Sequence, residues 1–155
     1  GIDAEEPVLI GVSFGGMIAI EISKMLPVKK IILISSIKTK FEKPFYFKAA
    51  AALRLNRIIP LRPYKFLAPI ENYNLGIHSS NLDIAYSNWA LEQVLHWNNT
   101  EIPGQLIHIH GSKDHIFPLK YIRPDFVIRG GGHLMVMNRA NEISQIIQQF
   151  LKSTS

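Results

Sequence analysis

The chain has 155 residues, 47% of them hydrophobic and 19% charged, which is the balance of one globular domain with a real core. It contains no cysteine, which excludes disulfides, a thiolate zinc site and a cysteine nucleophile, and which fits a reducing compartment. No apolar run approaches the ~18 residues of a membrane span, and the acidic start of the chain is unlike a signal peptide. The composition therefore predicts a cytoplasmic protein without an integral membrane span.

The net charge of +5 is concentrated in one segment of the chain. Between Lys38 and Lys65 there are eight Lys or Arg residues and one acidic residue, Glu42. An excess confined to one segment argues against a nucleic-acid partner. Residues 41–59 also contain many aromatic and aliphatic side chains, and three interpretations remain open. They are a cap helix that presents a positive rim over an acyl pocket, peripheral membrane attachment, and a solvated basic face packed on the core.

Hydrophobic patterning predicts alternating strands and helices in the first part of the chain. Residues 8–12 form a continuous apolar run, typical of a strand buried on both faces. A mostly buried helix is predicted after Ser13 and ends at Pro27, and a second buried strand is predicted at 31–34. Residues 38–80 lack strand character, although 45–59 has a helical pattern.

The second part of the chain continues the alternation. A helix is predicted at 83–97, a third strand at 105–110 and a fourth at 126–128. The last predicted helix carries one apolar stripe formed by Ile143, Ile146, Ile147, Phe150 and Leu151. Buried strands that alternate with helices indicate an α/β fold with a mostly parallel sheet flanked by helices.

Three chemically distinctive residues follow predicted strands. Ser13 follows the first strand, Asp114 the third and His133 the fourth. The carboxyl ends of parallel strands share one edge of the sheet, where ligands and catalytic groups gather. The order of a serine, an acid and a histidine at these ends predicts a Ser-His-Asp triad, because a serine hydroxyl needs a base held against it to act as a nucleophile.

Glycines surround Ser13 at the predicted turn from strand to helix. Gly11, Gly15 and Gly16 leave space where the two backbones nearly touch, so the hydroxyl can project towards a substrate. The N–H of Phe14, the next residue, is placed to donate to a developing oxyanion. The alternative is a tight glycine turn whose serine hydroxyl is satisfied by a hydrogen bond.

Three motifs resemble those of the α/β-hydrolase family. Gly-Val-Ser-Phe-Gly-Gly at 11–16 resembles its nucleophile elbow, His-Gly-Ser-Lys-Asp-His-Ile-Phe-Pro at 110–118 its acid turn, and Gly-Gly-His-Leu at 131–134 its histidine loop. The resemblance runs from about residue 7 to the last helix. It implies that Ser13 is the nucleophile, that His133 is the general base and acid, and that Asp114 orients His133.

The resemblance also implies what the chain hydrolyses and what it does not. The expected reaction is hydrolysis of an ester or thioester through an acyl-enzyme on Ser13, while C–C bond hydrolysis and perhydrolysis use the same triad. The haloalkane dehalogenase and epoxide hydrolase branches carry an Asp at the elbow, so Ser13 excludes them. Segment 38–100 falls where the family inserts its cap, or lid.

Part of the family's sheet has no counterpart in this sequence. The family has four strands before the elbow strand, but only seven residues precede Val8, and the chain begins with Gly1. The loop that normally supplies a second oxyanion N–H would lie in that part. We therefore expect a fragment whose elbow strand becomes an exposed edge, so that the chain associates edge to edge and has weak or no activity. A non-catalytic binding domain remains the alternative function.

Other histidines compete for the role of the base, and a cofactor is not expected. His115 adjoins Asp114 and would face away from the site, while His108 and His110 share one strand face and are interpreted as packing or hydrogen-bonding residues. The glycines near Ser13 do not match Gly-x-Gly-x-x-Gly, and the Lys and Ser/Thr of a phosphate loop are absent. The sequence indicates no metal site.

Overall fold

The computed structural model describes residues 6–52 and 84–153. The polypeptide divides into two compact units, one formed by Gly1–Lys43 with Asn99–Ser155 and the other by Pro44–Asn98. The predicted cap segment 38–100 overlaps the second unit, but much of it, including most of the basic segment, lies outside the described residues. Across the described ranges, no helix has the length and apolar character needed to cross a membrane.

Four parallel strands form the sheet of the first unit. They are β1 (Val8–Val12), β2 (Lys30–Ile34), β3 (Leu106–Gly111) and β4 (Phe126–Ile128), and they pair in that order. The helices of this unit are α1 (Phe14–Met25) and α4 (Ala140–Lys152), while the second unit contains α2 (Phe45–Ala52) and α3 (Ile84–His96). Short 3₁₀ helices lie at Lys40–Glu42, Leu119–Tyr121 and Met135–Met137. The predicted parallel α/β sheet flanked by helices is confirmed.

One part of the core of the first unit lies between the sheet and α4. Isoleucines of β2, β3 and β4 pack with Met135 and Ile143, and the apolar stripe of α4 covers this cluster. Lys30 of β2 donates from Nζ to the carbonyls of Phe150 and Ser153 at the carboxyl end of α4. A cation at that end complements the negative end of the helix dipole, so Lys30 anchors α4 to the sheet.

The two outer strands differ from the buried pair at the centre. Every residue of β2 is buried, whereas β1 leaves Val8 38% and Ile10 54% exposed. The prediction that β1 is buried on both faces is therefore wrong for this chain. The apolar run of β1 is that of a central strand, but β1 is the first strand of the four-stranded sheet, so one of its sides has no neighbour among the described strands.

Candidate active site

Ser13 lies at a strained turn between β1 and α1. Its backbone has φ 53° and ψ −122°, a left-handed conformation that is rare for a residue with a side chain. The Ser13 N–H donates to the carbonyl of Ile34 (2.9 Å), and the Ser36 hydroxyl donates to the carbonyl of Ser13 (2.7 Å). Hydrogen bonds at both the N–H and the carbonyl of Ser13 thus hold the turn in place. The surrounding structure in this way compensates for the unfavourable backbone conformation.

The glycines beside Ser13 differ in why they are needed. A Cβ on Gly11 would lie 2.3 Å from the carbonyl oxygen of Gly15, and one on Gly16 would lie 2.4 Å from the Ser36 hydroxyl. A Cβ on Gly15 would meet no atom within 4 Å. The backbones of strand and helix nearly touch, as predicted. A side chain would clash at Gly11 and Gly16, whereas at Gly15 it is the backbone that lies close to Gly11.

Asp114 lies in a turn that directly follows β3. Its own N–H donates to the carbonyl of Gly111 (3.2 Å), and its Oδ1 accepts from the N–H groups of Ile116 and Phe117 (2.9 Å each). The residue is only 3% exposed. These backbone bonds satisfy one carboxylate oxygen and orient the other, Oδ2, towards His133.

The loop that carries His133 is attached to the Asp114 turn. A Cβ on Gly111 would lie 2.3 Å from the carbonyl oxygen of Gly131, which itself accepts from the N–H of Lys113 (2.8 Å). Gly130 has φ +73°, a conformation that glycine adopts without strain. The close approach of the two loops therefore depends on glycine at position 111 as well as on the glycine run before His133.

The structure brings Ser13, His133 and Asp114 together. His133 Nε2 lies 2.8 Å from Ser13 Oγ, and His133 Nδ1 lies 2.8 Å from Asp114 Oδ2. Because the Asp114 carboxylate accepts a hydrogen bond from His133 Nδ1–H, His133 Nε2 is the acceptor for the Ser13 hydroxyl. This arrangement can remove the proton from Ser13 Oγ while a buried carboxylate stabilises the resulting imidazolium.

Phe14 begins α1, so its N–H belongs to the first turn, at the positive end of the helix dipole. This position is compatible with the oxyanion role predicted for it. Of the competing histidines, His115 is exposed, whereas His108 and His110 are fully buried and lie 3.1 Å apart between Nε2 and Nδ1. Neither of the buried pair contacts Ser13 within hydrogen-bond distance.

Two further residues, Phe117 and Ser36, contact the site although no sequence motif predicts a role for them. The ring of Phe117 lies beside that of His133, with 5.6 Å between centroids, and its N–H binds Asp114. The hydroxyl of Ser36 holds the Ser13 carbonyl. The sequence shows a serine pair after β2 and a Phe-Pro pair after Asp114. Neither pair indicates which distant residue its side chain contacts in the fold.

Within the described part of the chain, no group of three or more His, Asp or Glu side chains is placed to hold a metal ion.

The fold resembles those of several solved hydrolases. A lipase-esterase related protein from Clostridium acetobutylicum ATCC 824 has a TM-score of 0.65 at 18% identity, with 96% of this chain and 67% of that chain covered. An esterase from Thermogutta terrifontis has a TM-score of 0.59 at 18% identity, with 96% and 65% covered. A 2-hydroxy-6-oxo-6-phenylhexa-2,4-dienoate hydrolase from Rhodococcus sp. strain RHA1 has a TM-score of 0.60 at 15% identity, with 96% and 65% covered.

The similarity is one of structure alone. No protein-family model matches the sequence, and no curated protein matches it significantly. The chain spans about two thirds of the length of the solved structures that it resembles. The parallel sheet and these likenesses show that the chain has the α/β-hydrolase fold.

Proposed function

We propose that the chain carries the catalytic triad of a serine hydrolase that cleaves esters or thioesters through an acyl-enzyme on Ser13. The observation that supports this most is the continuous contact from Ser13 Oγ through His133 to Asp114, with 2.8 Å at each step. A serine hydroxyl that merely satisfies a glycine turn needs neither a histidine in the active tautomer nor a buried acid behind it.

The proposed reaction proceeds in two halves. Ser13 Oγ attacks the acyl carbon while its proton passes to His133 Nε2, and the Phe14 N–H stabilises the charge that develops on the acyl oxygen. His133 then gives the proton to the departing alcohol or thiol, which leaves an ester on Ser13. Water attacks that ester by the same route, so the acid is released and the Ser13 hydroxyl is restored.

Three further assignments belong to this proposal. The partner is a small acyl ester or thioester, segment 38–100 is the lid, and the compartment is the cytoplasm. The lid assignment is supported by the position of the segment between β2 and β3 and by the compactness of Pro44–Asn98 as a unit. The exposed apolar side chains of β1 support edge-to-edge self-association of the chain.

A fluorophosphonate probe tests the triad directly, because it labels only a serine that a base has activated. We expect one label per chain, located on Ser13 by peptide mass spectrometry, and none in Ser13→Ala. Ser144→Ala, at an exposed position of α4, is the matched control and should be labelled like the parent. An unlabelled, folded parent chain would leave the second candidate, a non-catalytic binding domain, as the better function.

Acyl chain length and bond type need a separate measurement. A series of nitrophenyl esters of increasing acyl length, with matched thioesters, would show which acyl group the site accepts. Because C–C bond hydrolysis uses the same triad, a substrate with a scissile C–C bond is a useful third arm of the series.

A further inference from the structure

Two buried histidines on β3 form a chain of hydrogen bonds that ends at the acid turn. His108 Nε2 lies 3.1 Å from His110 Nδ1, and His110 Nε2 lies 2.8 Å from the carbonyl oxygen of Phe117. Both side chains are completely buried. Buried polar groups of this kind need defined partners, so their protonation can be deduced from the contacts.

The chain of contacts fixes the tautomer of each ring. The Phe117 carbonyl can only accept, so His110 Nε2 carries the proton and His110 Nδ1 is an acceptor. His108 Nε2 must then donate to His110, which leaves His108 Nδ1 without a proton. That atom is buried and makes no hydrogen bond of standard geometry, while a backbone group of Ser36 near the His108 ring works against the lowering of its pKa. For two neutral rings, these contacts place the proton of each on Nε2.

Burial favours this neutral state. It lowers the pKa of His110 and lowers that of His108 to about 3. Neutrality matters at this position because His110 Nε2 also lies 3.5 Å from Asp114 Oδ2, the oxygen that binds His133. A protonated His110 would compete with His133 for that carboxylate.

Phe117 connects this histidine pair to both partners of Ser13. Its carbonyl is held by His110, its N–H donates to Asp114 Oδ1, and its ring lies beside that of His133. We propose that His110 is a positioning residue of the triad, which holds Phe117 and thereby fixes the orientation of Asp114 and His133. This inference rests on the proposed function for its catalytic consequence, but the orientation itself can be measured without turnover.

Two substitutions at one position separate this role from simple packing. His110→Gln places an amide N–H near Nε2 and keeps the donor to Phe117, whereas His110→Leu fills similar space without any donor. The first readout is the proton NMR signal of the hydrogen bond between His133 Nδ1 and Asp114. The second is the fluorophosphonate reaction, resolved into a binding constant and a bond-forming rate.

We expect His110→Leu to shift or lose the NMR signal and to lower the bond-forming rate roughly 10- to 100-fold, with the binding constant unchanged. His110→Gln should keep the signal and recover most of the rate. His115→Leu, at an exposed neighbouring position, should match the parent in both readouts. A folded His110→Leu chain with parental signal and rate would overturn the positioning role.

His110→Asn covers the case in which His110→Leu does not fold. Its amide lies near Nδ1 and is too short to reach the Phe117 carbonyl, so we expect the same loss as for leucine. Recovery by Asn equal to that by Gln would contradict the proposal. If the parent shows the NMR signal but Ser13 is not labelled, the proposed function fails, while the NMR comparison still decides whether His110 positions Asp114 and His133.

Discussion

The nucleophile turn (residues 11–16) and the acid–histidine loops (residues 111–117 and 130–133) are positioned by different means. Ser13 occupies a strained backbone conformation that is held by three hydrogen bonds to its backbone and by close contact between β1 and α1. Asp114 instead lies in a network in which backbone N–H groups, His133 and the buried histidine pair all take part. Both parts of the site include a close backbone approach at a glycine, Gly11 or Gly111, and the acid–histidine loops add a buried network of polar contacts.

The two regions also differ in their surroundings. The nucleophile turn follows β1, an outer strand with exposed apolar side chains, while Asp114 follows β3, which is buried almost throughout. We therefore expect both regions to be sensitive to added volume at their close glycines, Gly11 and Gly111, and protonation to act mainly on the acid–histidine loops. The following predictions examine that contrast, beginning with the largest effect.

Removal of single triad groups should reveal unequal roles. Ser13→Ala removes the nucleophile, so we expect the triad-dependent esterase rate to fall to the uncatalysed background, a loss of up to roughly 10⁶-fold. Asp114→Asn leaves the geometry but disturbs the tautomer of His133, and a loss of roughly 10⁴-fold is expected. Steady-state kinetics with the best ester of the series measure both. Equal rates for the parent and Asp114→Asn, with Ser13→Ala inactive, would show that Asp114 does not assist His133.

Acid should destabilise the histidine side of the molecule. The pKa of His108 is lowered by burial from 6.5 to about 3, so the unfolded chain binds the extra proton between these values. The stability that neutral His108 contributes is therefore complete above pH 6.5 and falls by roughly 1.4 kcal/mol per pH unit as the pH decreases. The lowered pKa of His110 acts in the same direction.

His108→Gln removes one of these titrations while it keeps a donor near Nε2. We expect the free energy of unfolding to depend less on pH in this variant, by about 2 kcal/mol between pH values of about 7 and about 5. Urea unfolding at both pH values measures the difference. His115→Gln, at an exposed position, serves as the control and should keep the parental dependence. An unchanged slope in His108→Gln would show that His108 binds its proton equally in the folded and unfolded chain, and so that burial does not lower its pKa.

Much of the fold could be predicted from the sequence because each strand has a local pattern. The four predicted strands agree with the observed ones to within a residue, and the helices around Ser13 and at the end of the chain also agree. The exposure of β1 could not be read from the same pattern. An apolar run indicates that a strand is suited to burial. Whether its residues are in fact buried depends on which strands and helices pack beside it.

The site was partly predictable for a similar reason. Ser13, Asp114 and His133 each follow a strand within a recognisable motif, and the structure brings them into contact. The connection from His108 to Phe117 has no motif, because it depends on the alternation of β3 and on the path of the acid turn. The unequal roles of Gly11 and Gly15 could not be predicted either, because they depend on distances in the folded chain and both glycines look alike in the sequence.

Paired alanine substitutions test which glycines the site requires. Gly11→Ala and Gly111→Ala each insert a Cβ within 2.3 Å of a backbone oxygen, so we expect about 2 kcal/mol of destabilisation from each. Gly15→Ala and Gly132→Ala meet no atom within 4 Å and should stay within about 0.5 kcal/mol of the parent. Urea unfolding compares all four variants. A cost at Gly15 equal to that at Gly11 would contradict the close approach as the cause.

The outer strands provide the smallest expected effect. β1 has five residues and exposes Ile10 (54%), while β4 has three and exposes Val127 (46%). A longer edge offers more backbone hydrogen bonds to a second copy, so β1 should dominate self-association. We expect Ile10→Lys to weaken association about tenfold, because a lysine on an edge must be desolvated when another strand pairs with it.

Val127→Lys is the matched control, since it introduces the same charge on the opposite outer strand. Sedimentation velocity over a range of chain concentrations should show a strong effect of Ile10→Lys and little effect of Val127→Lys. Equal effects would mean that net charge, rather than the β1 edge, controls association. A parent chain that remains monomeric throughout would remove the edge of β1 as a contact surface, and the contrast between the two sides of the site would then rest on their internal contacts alone.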